Sequence, residues 1–229
     1  HLPVLVILVL MSIGLAIKSG LYPFHSWMPD AYGFSTASAS AILSGLVSKA
    51  YIILLIKIFY RVVGIDFIVT SEMMNVLFVF GLVGMIMGSV SAILEKDIRR
   101  MIAFSSVAQI GYIYMGIGLG IEQGYVAAVY HILHHAATKA LLFISVVGLS
   151  NVSGGSKQFP DLRGAGYRHR SAGVAFAVGS FSMVGLPMFS GFISKYLFAT
   201  AAMAASPKKV FLTLVVLAIS TILNAIYFI

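Results

Sequence analysis

The sequence contains no cysteine, and only 7 of its 229 residues are Asp or Glu. The missing cysteines exclude a disulfide scaffold and any zinc or iron–sulfur centre built on thiolates. Charged residues make up only 10% of the chain against 60% hydrophobic residues. Soluble domains run near 25% charged and 45–50% apolar. Together with a mean hydropathy of +1.01, this excludes a soluble globular domain and a disordered chain. The net charge of +8 suggests nucleic acid only in a soluble protein. In a membrane protein an excess of Lys and Arg belongs to the cytoplasmic loops, so no nucleic-acid partner is expected.

A spanning helix needs about 20 mostly apolar residues. Seven stretches qualify: residues 2–22, 37–63, 73–94, 98–119, 125–150, 172–203 and 210–229. The sixth is interrupted at Gly185-Leu186-Pro187 and Ser190-Gly191. Alternation over about ten residues does not recur, which argues against a membrane barrel. The expectation is one all-α, polytopic membrane domain over residues 1–229. The sequence starts and stops inside apolar runs, without an initial Met or a signal-peptide pattern. It therefore reads as a piece of a longer chain.

Loop charges orient the bundle. Lys96, Arg99 and Arg100 lie in one connection, and Lys157, Arg163, Arg168 and Arg170 in another. The positive-inside rule places both in the cytoplasm, with Tyr22 and Asp30 on the same side. The opposite side holds Lys208 and Lys209, with Lys57 and Arg61 near a helix end.

Four lysines fall within spans: Lys18, Lys49, Lys139 and Lys195. A charge in the bilayer core is costly, faces a cavity or partner, and marks an ion path. Snorkelling to the headgroups explains Lys57 and serves less well for Lys49, Lys139 and Lys195. His131, His135 and Lys139 are spaced i, i+4, i+8 and share one helical face, whereas His134 points elsewhere. Imidazole titrates near pH 6.5, and a lysine withdrawn from water gives up its proton more readily. This ladder suits a proton relay. Two histidines at i and i+4 also suit zinc or haem iron. That rival lacks a HExxH glutamate, and Lys139 on the same face repels a cation. No metal and no cofactor is expected.

No carboxylate lies well inside a span, so the acidic partner of Lys18 is expected outside this chain. Helix breaks are expected at Gly20 and Pro23, just after Lys18, and at Gly185, Pro187 and Gly191, just before Lys195. Proline removes a backbone donor and glycine permits the turn. Broken membrane helices put free backbone groups beside ion sites.

These segments carry a resemblance. Lys18-Ser-Gly-Leu-Tyr-Pro-Phe-His25-Ser-Trp27-Met-Pro29-Asp30-Ala31 resembles a signature of antiporter-like membrane subunits, found in respiratory complex I, Mrp-type Na⁺/H⁺ antiporters and membrane-bound hydrogenases. The run from Lys96 through Arg99, Ser105 and Gln109 to Tyr112 resembles a second signature. Residues 131–143 and 185–195 resemble a third and a fourth.

The resemblance implies about fourteen core helices in two inverted five-helix repeats, with helices seven and twelve broken. This chain corresponds to helices seven to thirteen, chiefly the second half-channel. Lys18 matches the lysine of the first broken helix, and Lys49 the lysine linking the half-channels. His131, His135 and Lys139 match the relay of helix eleven, and Lys195 the terminal residue of helix twelve. The glutamate paired with Lys18 belongs to helix five, outside the chain.

The stretch after Ala31 departs from the family's Ala-Pro-Thr-Pro-like pattern. Lysine at both 49 and 195 resembles Mrp D-type and hydrogenase-type subunits more than the complex I subunit with glutamate at the latter position. The implied function is proton or Na⁺/H⁺ translocation in a bacterial or archaeal plasma membrane. It would be performed with other membrane subunits and, in complex I-type members, coupled to NADH:quinone electron transport. With no GxGxxG, flavin or iron–sulfur motif, redox chemistry would belong to those partners. A haem- or quinone-binding redox subunit using His131 and His135 is the alternative of another class. A transport-inactive structural subunit is the third.

Overall fold

The computed structural model describes residues 2–229. Its helices are α1 (Leu2–Ser19), α2 (Trp27–Phe34), α3 (Ala37–Val63), α4 (Ile65–Thr70), α5 (Met73–Leu94), α6 (Ile98–Gly118), α7 (Glu122–Asn151), α8 (Ala165–Arg168), α9 (Arg170–Val184), α10 (Ser190–Met203) and α11 (Pro207–Phe228). Among the described residues there is no strand, only an isolated bridge between Asp97 and Gln158. Lipid offers backbone amides no partner, so a spanning chain must satisfy them within helices. Five helices (α3, α5, α6, α7 and α11) are long and apolar enough to cross a membrane.

Helix α6 is the axis of the bundle. Of its apolar window 94% is buried, against 22% for α11. It packs closely on α5 because glycines remove side chains along the seam. A Cβ on Gly88 would lie 2.5 Å from the Ala108 nitrogen, and one on Gly111 2.6 Å from the Gly81 oxygen. In lipid, where no hydrophobic force drives helices together, such close backbone packing supplies association.

The sixth expected span is two half-helices, α9 and α10, separated by residues 185–189. Gly185 closes α9 in the left-handed region at φ +85°, where glycine carries no Cβ penalty. Gly191 is a correction. It lies in the first turn of α10, not in the break, and lets that turn settle on α9, since a Cβ there would sit 1.7 Å from the Ser182 oxygen. Fifteen residues of α9 at about 1.5 Å each put the break about 22 Å from the loop end.

The first span also differs from expectation. α1 ends at Ser19, and residues 20–26 are non-helical and include Gly20 and Pro23. The chain then resumes as α2. Tyr22 is not at the loop end: it packs on Gly84, near the middle of α5, while Ser19 bonds the Tyr114 hydroxyl at 2.9 Å. Asp30, by contrast, is at the loop end, paired with Arg100. The break thus falls at Gly20 and Pro23, where it was expected, and the helix ends at Ser19 rather than running on to Tyr22.

The two basic connections meet. The Ile98 N–H donates to the Lys157 carbonyl at 3.0 Å, and the Phe159 N–H to the Lys96 carbonyl at 3.1 Å. Both therefore lie at one end of the bundle, as the loop charges require.

Candidate ion-translocation site

Helix α3 positions Lys49 by a local irregularity. Residues Leu43–Val47 form a π-helical turn, so the Ser48 N–H reaches back to the Leu43 carbonyl. The Ser44 carbonyl then accepts the Lys49 ammonium and the Ser48 hydroxyl at 3.3 Å. Such turns are rare and frequently mark functional sites. Lys49 is 2% exposed and Lys139 is fully buried. The Lys139 ammonium donates to the Ile102 carbonyl at 2.8 Å and to the Ser105 hydroxyl.

Serines on α6 join the two lysines. The Ser44 and Ser106 hydroxyls are 3.0 Å apart. Ser106 donates to the same Ile102 carbonyl at 3.2 Å. Hydrogen bonds thus link α3 to α6 through Ser44 and Ser106, and α6 to α7 through the Ile102 carbonyl that Ser106 and Lys139 share. Lys49 joins at the Ser44 carbonyl rather than at its hydroxyl.

Beside Lys139, α7 carries imidazoles one and two turns back along its own helix. The His131 and His135 rings stack with centroids 6.0 Å apart and planes at 15°. The other side of His131 stacks on Tyr112 at 5.4 Å, and Phe198 closes the pocket at 5.4 Å. His131 Nδ1 meets the Ser194 hydroxyl at 2.6 Å. Neither nitrogen of His135 has a protein partner, nor has His131 Nε2. Buried polar atoms of this kind bind ordered water.

Lys195 ends the series on α10. Its ammonium donates to the Val184 carbonyl at 2.5 Å and to Thr221 at 3.0 Å, and lies over the Tyr112 ring at 5.9 Å. The Val184 carbonyl is available because α9 stops there. Broken helices supply free carbonyls to cations in this way.

The structure thus brings Lys49, Lys139, His135, His131 and Lys195 into one buried file. Lys18 stands apart: it is exposed at the end of α1 and makes no ion pair among the described residues. None of the seven carboxylates is buried. His134 also joins the site. Its Nδ1 meets the Ser190 hydroxyl at 2.9 Å, which lies 3.1 Å from Ser182.

Ser190 and Ser194, spaced i and i+4 on α10, therefore match His134 and His131 across the α7–α10 interface. Sequence reasoning missed these serines, although that spacing beside Lys195 is visible in it. It also missed Ser44, Ser106, Thr221 and the stacking role of Tyr112. A single hydroxyl in an apolar helix carries no sequence signal until a partner is known.

Residues 2–222 match the family described as NADH:quinone oxidoreductase/Mrp antiporter, transmembrane. The chain belongs to this family. It is 34% identical over 225 residues to NADH-quinone oxidoreductase subunit N of Desulforudis audaxviator, covering 98% of this chain and 44% of that protein. It is 33% identical over 221 residues to an Na⁺/H⁺ antiporter subunit of Alkalihalophilus pseudofirmus, covering 89% and 26%.

Among solved structures, a chain of the Mrp complex from Dietzia sp. superposes with a TM-score of 0.86 at 29% identity, over 99% of this chain and 42% of that one. A chain of the membrane-bound sulfane sulfur reductase, an archaeal respiratory membrane complex, gives 0.81 at 28%, over 93% and 43%. The chain spans less than half the length of each of these relatives. It is an integral membrane, antiporter-like chain.

Proposed function

We propose that this chain forms the second half-channel of a proton- or Na⁺/H⁺-translocating subunit in a multi-subunit membrane complex of the respiratory, Mrp or hydrogenase type. One observation carries the reading: Lys49, Lys139, His135, His131 and Lys195 form a buried file of protonatable groups with no buried carboxylate among the described residues. A structural helix bundle gains nothing from three buried or half-buried lysines, because desolvating each costs several kcal/mol.

The chemistry is a proton passed between basic groups through hydroxyls. A neutral lysine amine takes a proton at Nζ. Its arrival repels positive charge on the next group. Two like charges 8 Å apart at an effective dielectric near 20 repel by about 2 kcal/mol. That changes a neighbour's proton affinity by more than tenfold, since 1.4 kcal/mol is one pKa unit. An electrostatic signal then travels along the file. Lys18 sits at the input, beside its own helix break, with an acidic partner supplied from outside the chain. Redox chemistry belongs to partner subunits, and the basic connections face the cytoplasm.

Lys139→Ala in the intact complex tests this. The expected result is loss of proton or Na⁺ flux into vesicles, with the complex still assembled. Wild-type flux in an assembled Lys139→Ala complex overturns the reading. Lys18→Met should likewise uncouple transport, and Lys18→Arg should keep the charge but not the cycle, because arginine does not deprotonate.

A further inference from the structure

The α6–α11 interface holds a second set of buried polar groups that the histidine file does not use. Gln109 is 1% exposed, and Tyr112, Asn224 and Ser220 are fully buried. Gln109 Nε2, the Tyr112 hydroxyl, Asn224 Nδ2 and the Ser220 hydroxyl lie near one another or near Tyr227 but close no hydrogen bond of ordinary geometry with the protein. Four such atoms on two facing helices are not scattered packing faults. A buried donor or acceptor left unpaired costs about 1–3 kcal/mol, and native structures satisfy such groups with ordered water.

Both ends of this set touch the lysine file. At one end the Tyr227 side chain faces Ser105, Gln109 and Ser89, and Ser105 accepts the Lys139 ammonium. The Tyr227 hydroxyl donates to Asn224 Oδ1. At the other end the Tyr112 hydroxyl faces Ser220, Thr221 and Asn224 without closing a hydrogen bond of ordinary geometry. Thr221 accepts from the Lys195 ammonium at 3.0 Å.

We propose that Gln109, Tyr112, Ser220, Asn224 and Tyr227 hold a water-filled proton path between Lys139 and Lys195 that runs beside the histidines rather than through them. It rests on the translocation reading above and adds a second branch to it. At rest Ser105 donates to the Ile102 carbonyl, Tyr227 to Asn224 Oδ1 and Thr221 to the Leu217 carbonyl. In the path these hydroxyls and that of Tyr112 each take a proton on an oxygen lone pair and turn their own towards the next water. Nothing is consumed, and the net transfer is one proton from Lys139 to the Lys195 amine. The amides of Gln109 and Asn224 hold the intervening waters in place and do not themselves titrate.

Tyr112 belongs to both branches. Its ring stacks on His131, and its hydroxyl faces α11. A change in its tilt would alter both routes together.

The test uses the intact complex in vesicles, with flux and a high-resolution map as readouts. Asn224→Leu, of similar size but without polar atoms, is expected to lower flux on the order of tenfold, equivalent to about 1.4 kcal/mol of barrier. It should lower flux further when combined with His131→Phe and His135→Phe. Asn224→Ser, which still holds a water, should retain most of the flux, which separates a path from a fold defect. The map should show ordered waters within hydrogen-bond distance of Gln109 Nε2, Asn224 Nδ2 and the Tyr112 hydroxyl. Unchanged flux in Asn224→Leu, alone and in the histidine background, overturns the second branch, as does a map with no water at those atoms. Lys139→Ala decides the parent reading separately: its loss of flux with Asn224→Leu unaffected leaves translocation standing and removes only this branch.

Discussion

His131 shows how a single side chain is held for transfer rather than for packing. Its Nδ1 is fixed by Ser194 at 2.6 Å, its faces are covered by Tyr112 and His135, and its Nε2 is left without a protein partner. One nitrogen is anchored and the other is offered. Ser194→Ala removes the anchor and leaves a buried nitrogen unpaired. A loss of about 1 kcal/mol in positioning corresponds to a fall in flux on the order of fivefold. Ser194→Thr, which keeps the hydroxyl, should restore it. Flux measured side by side in the two variants checks this. Equal flux in Ser194→Ala and the wild type would show that the ring needs no anchor. At this scale the sequence was half legible. The spacing of His131, His135 and Lys139 identified one face of α7 without a structure. His134 was set aside because it lies off that face, yet it meets α10 through Ser190. Helical periodicity sorts residues by face but does not say which faces another helix will cover.

At the scale of elements, glycine decides how closely helices approach. The α5–α6 seam is built on Gly81, Gly84, Gly88, Gly111 and Gly118, where an added Cβ would meet backbone atoms or a side chain of the facing segment. Gly14 on α1 has nothing within 4 Å of such a Cβ. Gly88→Leu must push α5 away from Ala108, at an overpacking cost of about 1–3 kcal/mol or more, and also displaces Ser106 on the buried face of α6. Gly14→Leu touches nothing comparable. Thermal denaturation of the detergent-solubilised complex should show a clearly lower midpoint for Gly88→Leu and little change for Gly14→Leu. The same midpoint for both would mean that the seam is not tightly packed. The breaks were legible at this scale because Gly and Pro punctuate apolar runs. Gly185 and Pro187 do so in the sixth span, and Gly20 and Pro23 in the first. The existence of α2 was not legible, since nothing in Trp27 to Phe34 distinguishes a short returning half-helix from a loop. The π-helical turn just before Lys49 has no sequence mark either.

For the whole molecule, the loop end is held by one arginine more than by the charges around it. Arg99 is 6% exposed. It donates to the Tyr32 carbonyl at 2.9 Å, the Ser35 carbonyl at 2.5 Å and the Ser40 hydroxyl at 2.6 Å. It thereby ties the first turn of α6 to the end of α2 and the start of α3, and α6 is the axis on which the lysine file is mounted. Arg100, its neighbour, pairs with Asp30 and Glu95, but those partners are partly solvated. Exposed pairs contribute about 0–1 kcal/mol, while hydrogen bonds from a buried charged donor contribute about 1.5–3 kcal/mol each. The two adjacent arginines should therefore behave very differently. Arg99→Ala removes the charged donor from the Ser35 carbonyl and takes one of their partners from the Tyr32 carbonyl and the Ser40 hydroxyl, and should lower the thermal midpoint of the complex sharply. It should also open residues 32–40 to proteolysis and reduce flux without touching a relay group. Arg99→Lys should recover part of the loss, because all three acceptors meet the single nitrogen Nη2 and an ammonium carries three donors. Arg100→Ala should move the midpoint slightly, by an amount that shrinks further in high salt. Comparable losses for the two substitutions would show that the loop end is held by diffuse charge rather than by the Arg99 clamp. The broken first span would then need another anchor.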